Sequence, residues 1–121
     1  MKKNGYYVEG AAKRLVIIED NDQLRQAYSL IINCFENLMV VNTYDQCEEA
    51  IRKLPKDDPD LIMIDITLPG MSGIQGISKI KKINPDVKIL VVTVHDDTET
   101  IFDAVYKIMN EVSPGKFPNY Y

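Results

Sequence analysis

This chain is short of the residues that usually staple or anchor small proteins. It has two cysteines and one histidine in 121 residues. Cys34 and Cys47 fall in helical patterns without CxxC spacing, which argues against a disulfide framework and reads as two buried free thiols. One histidine, with no other ligands at metal spacing, excludes a histidine-built zinc site. No apolar run approaches the roughly 20 residues that cross a bilayer, and there is no signal-peptide core. The expected setting is therefore a reduced, cytoplasmic one without membrane contact. Nor is there an excess of basic residues: the net charge is -4, which leaves no electrostatic footprint for direct nucleic-acid binding. Lys79, Lys81, Lys82 and Lys88 cluster, and read as a solvated helix face. Internal repeats, low-complexity segments and linkers are also missing.

What is present is an ordinary globular composition, 45% hydrophobic and 26% charged, at a length that suits one domain. Residues 1–12 are polar and aromatic and read as an N-terminal extension. The domain is expected over residues 13–121, with residues 107–121 atypical.

The informative pattern lies in three apolar runs that each end on a polar side chain. Leu15–Ile18 runs into Glu19-Asp20, Leu61–Ile64 into Asp65, and Ile89–Val92 into Thr93. Short unbroken aliphatic runs are the signature of strands buried on both faces. Helical patterns separate them. Leu24, Ala27, Tyr28, Ile31, Ile32 and Phe35 follow the first, with Asn21 or Asp22 as N-cap. A further run, Leu38–Val41, precedes a helix bearing Cys47, Ala50, Ile51 and Leu54, expected to close at Pro55. The loop Pro69-Gly70-Met71-Ser72-Gly73 leads to a helix with Ile74, Ile77, Ile80 and Ile83 on its apolar stripe, stopping at Asn84-Pro85. The fourth strand pattern spans about residues 87–93, and Asp96 with Glu99 resembles a capping box for a helix carrying Ile101, Phe102, Val105, Tyr106 and Met109. Four strand–helix alternations predict an α/β fold with a doubly wound parallel sheet. From about Lys107 the alternation fails.

Parallel strands bring their C-terminal ends to one edge, where open α/β sheets bind ligands. Glu19, Asp20 and Asp65 would then share a cleft, and unit charges about 4 Å apart repel by roughly 4 kcal/mol at an effective dielectric of 20. A hard divalent cation relieves this. Mg²⁺ favours one or two carboxylates, waters and a phosphoryl oxygen, which makes phosphoryl transfer the natural chemistry. Asp65, followed by a Pro/Gly loop rather than directly by a helix, is the nucleophile of choice, forming an acyl phosphate. Thr93 offers a hydroxyl one strand over. Each residue alone has a structural reading, as cap, turn or strand residue; the four at corresponding strand ends point to a site.

With the pair Glu19-Asp20, the strand Asp60–Asp65, the loop Leu68–Gly73 and the run Val91-Val92-Thr93-Val94-His95, the chain resembles the response-regulator receiver domain of the CheY-like superfamily. This is the phospho-acceptor module of two-component signalling. The resemblance spans about Lys13 to Ala104. It implies a flavodoxin-like (βα)₅ sheet and a phosphoryl group taken onto Asp65 from a sensor histidine kinase, a phosphotransfer protein or a small donor such as acetyl phosphate. It implies Mg²⁺ held by Asp20 and Asp65, by Glu19 mostly through water, and by the backbone carbonyl of Thr67. Thr93 would close on the phosphoryl group, while Thr67 and His95 would line the path of the attacking water. The only chemistry expected is the domain's own phosphorylation and dephosphorylation, switching partner or output interactions. A DNA-binding output domain in a full-length protein is expected by analogy.

The C-terminus departs from the family pattern. Counting from Thr93, the phosphoryl-binding lysine falls at Gly115, with Lys116 one residue away as the candidate. The aromatic switch position falls near Val112, and the fifth helix is missing, so the fifth βα unit is read as irregular or incomplete. Two competing functions follow. One is a phosphorylation-independent interaction module of receiver fold. The other is an aspartyl phosphohydrolase, which would place a second Asp where Thr67 stands. Residues 4–10 form a candidate strand for the open sheet edge, within one chain or exchanged in a homodimer.

Overall fold

The computed structural model describes residues 2–3, 6–7, 12–66, 68–92 and 110. Lys13–Ile18 (β3), Leu38–Tyr44 (β4), Leu61–Asp65 (β5) and Lys88–Val92 (β6) form one sheet in the order β4-β3-β5-β6, all parallel. The helices Asp22–Asn33 (α1), Cys47–Asp57 (α2) and Gly73–Ile83 (α3) connect them. This is the expected doubly wound arrangement. The predicted fifth strand and the helix expected after Asp96 fall outside the described residues.

Alternation along the central strands sorts the core into two layers. Leu15, Ile17, Leu61 and Met63 point to one face, where Tyr28 and Ile32 of α1 cover them. Val16, Ile18, Ile62 and Ile64 point to the other, packed by Cys47, Ala50 and Leu54 of α2 and Ile80 of α3. Burying such side chains stabilises by about 1.5–3 kcal/mol each, and a sheet buried on both faces explains why its central strands are almost wholly apolar.

Both edges of the sheet are tied by specific bonds. At the N-terminal edge Arg14 donates from Nη2 to the Asp57 carbonyl at 2.7 Å and from Nε to the Asp57 and Asp58 carbonyls at 3.2 Å each. These are carbonyls the last turn of α2 leaves unpaired. Asp58, in the left-handed region at φ 44°, ends that helix. At the opposite edge Asn21 caps α1, its side-chain oxygen accepting from Leu24 N at 3.0 Å. A register shift between Leu15 and Val16 skips Val41, so Tyr44 lies opposite Ile18.

Four expectations need correction. Pro55 does not close α2, which continues to Asp57; in the last turn a proline forfeits one backbone bond without obstructing the residues after it. Cys34 is exposed at the C-cap of α1, and only Cys47 is buried. Ile74 and Ile83 are 65% and 51% exposed, whereas Gly73, Gly76 and Ile80 form the buried face of α3. A strict spacing of three drifts by about 60° per step around a helix of 3.6 residues per turn, so four such isoleucines cannot share one face. Finally, Tyr6–Tyr7 (β2) pairs antiparallel with Lys2–Lys3 (β1) in a separate two-stranded ladder, which corrects the expectation that this segment joins the main sheet within its own chain. Asn-Gly between two short runs is a strong hairpin signal, and local pairing carries little loop-closure cost.

Candidate functional site

Parallel registration assembles the site. Ile18 on β3 pairs with Ile64 on β5, so Glu19, just past the end of β3, and Asp65, the last residue of β5, come next on neighbouring segments. The strand ends at Ile18 and the chain bends at Asp20. That departure from the pleat matters, because consecutive strand residues point to opposite faces, yet here both acids turn toward Asp65. One carboxylate oxygen from each of Glu19, Asp20 and Asp65 lies within 4.8 Å of the others. Glu19 is buried, Asp65 half-buried and Asp20 exposed.

The acidic turn is held by backbone bonds. Glu19 N donates to the Tyr44 carbonyl at 2.9 Å, and the Glu19 carboxylate accepts from Asn21 N at 3.1 Å. Arg25 donates from Nη1 to the Glu19 carbonyl at 2.8 Å. Tyr44 is itself anchored, its hydroxyl donating to the buried carboxylate of Asp57. Burial first, and Asp57 second, push the Tyr44 pKa upward.

Burial also pushes the Glu19 carboxyl up to about 7, opposed by the Asn21 N–H and reinforced by Asp20 and then Asp65. Two full charges 4.8 Å apart repel by about 3.5 kcal/mol at an effective dielectric of about 20. Three hard oxygen donors, one partly buried and one open to solvent, fit a small oxygen-seeking cation such as Mg²⁺ that keeps part of its water shell.

Beyond Asp65 the loop is built for close approach. A Cβ on Gly73 would lie 2.6 Å from both the Asp65 carbonyl oxygen and Ile66 Cα. Gly73 N donates to the Ile66 carbonyl at 3.2 Å. Gly70 has φ 69°, a conformation that disfavours side chains. Ser72 and Gln75 exchange reciprocal bonds of 3.2 Å each in a capping box that starts α3. The start of α3 is thus packed against the backbone that carries Asp65.

Of the residues singled out in the sequence, the fold brings together Glu19, Asp20 and Asp65. Thr67, Thr93, His95 and Lys116 lie outside the described residues. Sequence reasoning missed Arg25 and Tyr44. Arg25 had one signal: a cation in the first turn of a helix opposes the helix dipole, a local misfit that tertiary contacts must compensate.

Comparison with known proteins bears on the family and the fold. A family profile described as the response regulator receiver domain matches residues 15–112. The oxygen regulatory protein NreC of Staphylococcus carnosus is 37% identical over 93 residues, covering 76% of this chain and 43% of that protein. The isolated receiver domain of RcsB from Salmonella enterica serovar Typhimurium, solved in the presence of the phosphomimetic BeF3-, shares 25% identity at a TM-score of 0.65, covering 81% of this chain and 72% of that one. The receiver domain of NarL from Mycobacterium tuberculosis, at 17% identity and a TM-score of 0.74 over 87% of this chain and 99% of that one, shares the fold. The chain spans less than half the length of the NreC relative it matches. No helix among the described residues is long and apolar enough to cross a membrane. The chain belongs to the response regulator receiver domain family, the switch modules of two-component signalling.

Proposed function

We propose that Asp65 accepts a phosphoryl group in a pocket where Glu19, Asp20, Asp65 and the Thr67 carbonyl hold Mg²⁺. The observation that carries this reading is the convergence of three carboxylates within 4.8 Å at the ends of β3 and β5 in a receiver domain. When bound, the cation would neutralise the acids and draw the phosphoryl oxygens inward. An Asp65 carboxylate oxygen attacks phosphorus as the P–N bond of a kinase or phosphotransfer phosphohistidine breaks, giving an aspartyl phosphate. Thr93 binds a phosphoryl oxygen, Lys116 is the candidate counter-charge, and Thr67 and His95 flank the approach of the hydrolytic water. The domain catalyses only its own phosphorylation and dephosphorylation. In a longer cytoplasmic protein the resulting change of surface would act on a DNA-binding output domain or on dimer formation.

The test is intact mass after incubation with acetyl phosphate and Mg²⁺. A Mg²⁺-dependent gain of one phosphoryl group, absent in Asp65→Asn, is the expected result. No gain in a protein folded by circular dichroism would overturn the reading and favour a phosphate-independent module.

A further inference from the structure

We propose that Arg25 is a positioning residue for the acidic pair: it fixes the one peptide plane that aims Glu19 and Asp20 at a shared cation. The inference rests on the magnesium reading above and adds to it a residue that touches none of the carboxylates of the site.

The Glu19 carbonyl and the Asp20 N–H belong to the same rigid peptide unit, so whatever holds that carbonyl restricts ψ of Glu19 and φ of Asp20, the rotations on which both side-chain directions depend. The unit lies just past the end of β3, where the ladder to β5 stops at Ile18–Ile64. The Tyr44 carbonyl holds the preceding N–H at 2.9 Å, and Arg25 Nη1 holds the carbonyl itself at 2.8 Å. Arg25 Nη2 meanwhile bonds Asp22 Oδ1 at 2.5 Å, and the arginine side chain is only 18% exposed. One planar guanidinium therefore spans the strand end and the first turn of α1, which a lysine ammonium cannot reproduce with the same rigidity. Because Arg25 bonds a backbone oxygen, it takes up no carboxylate oxygen of the acidic pair. It also places a positive charge next to the acid cluster without occupying it. Outer-shell partners of this kind change metal affinity by about 10–100-fold when removed.

The test is Mg²⁺ affinity by isothermal titration calorimetry on the whole chain, with urea stability measured in parallel. Arg25→Ala is expected to weaken Mg²⁺ binding about tenfold or more, with Arg25→Lys intermediate. Arg14→Ala is the control, since Arg14 also anchors backbone carbonyls but at the opposite edge of the sheet; it is expected to lose stability and keep wild-type affinity. If Arg25→Ala is folded and binds Mg²⁺ within about twofold of wild type, the inference is wrong while the magnesium reading stands. If Arg14→Ala loses affinity as much as Arg25→Ala does, Arg25 acts through stability alone and the positioning role is refuted. Absence of Mg²⁺ binding by the wild-type chain overturns both.

Discussion

Cys47 shows how much a single position depends on its neighbours. Its thiol opens α2 and faces α3 so closely that a Cβ on Gly76 would lie 2.5 Å from its sulfur. Burial first, and the Glu48 carboxylate second, push the thiol from 9.0 up to about 11. Between these values the unfolded chain releases the proton while the folded one keeps it, so unfolding becomes easier as pH rises. The contribution of Cys47 is complete below about pH 9 and is lost as pH climbs toward 11. Urea unfolding across that range should show a falling stability whose slope flattens in Cys47→Ala. Tyr44, also raised, adds a component of the same sign that this variant leaves in place. An unchanged slope in Cys47→Ala would mean that the thiol does not titrate this way. Sequence treated Cys34 and Cys47 alike because both fall in helical patterns; only the partner of each helix decides that one thiol is buried and the other exposed.

At the level of elements, the transition from β5 to α3 carries the tightest packing around the site. Gly73 has backbone atoms of Asp65 and Ile66 2.6 Å from where its Cβ would stand, and neither can yield as a flexible side chain would. Gly73→Ala should therefore destabilise the domain by about 1–3 kcal/mol and lower the yield of phosphorylated Asp65. Its neighbour Ile74, 65% exposed, should tolerate alanine within about 0.5 kcal/mol. Urea denaturation of the two variants checks the contrast, and equal effects would refute the packing argument. The helix was legible from its isoleucines and the Pro/Gly loop before it, but its buried face was not. An apolar pattern reports that a helix packs, while the side it presents here is chosen by small residues that let it approach α2 and the loop after β5. Pro55 teaches the same lesson: it gives up one bond to the preceding turn, yet Lys56 and Asp57 after it stay helical.

Taken as a whole, the molecule sets the proposed cation site against the stability of the metal-free fold. Three acids crowd one edge of an otherwise apolar sheet, so the domain should be more stable with Mg²⁺ than without it. At a concentration one hundred times its dissociation constant, a ligand specific for the native state adds about 2.7 kcal/mol. Asp20→Asn should shrink that response and, by removing one charge from the cluster, leave the metal-free domain as stable as wild type or more so. Urea unfolding with and without Mg²⁺ measures both. Loss of stability in metal-free Asp20→Asn would show that the repulsion at this edge is already relieved by other means.

The local sequence determined which segments are strands, which acids end them, where α1 and α3 begin, and that the sheet is covered on both faces. These are properties of periodicity and capping, which act over a few residues. The tertiary structure alone decided that Glu19 and Asp65 meet, through the register of β3 on β5, and that the chain bends after Ile18 so Asp20 joins them. It also decided that Arg25 reaches back from α1 to the Glu19 carbonyl, and that Tyr44 and Asp57 join across the sheet and α2. Those contacts depend on register, twist and the packing of distant segments. No local pattern encodes them, because each partner satisfies the other only after the sheet has formed.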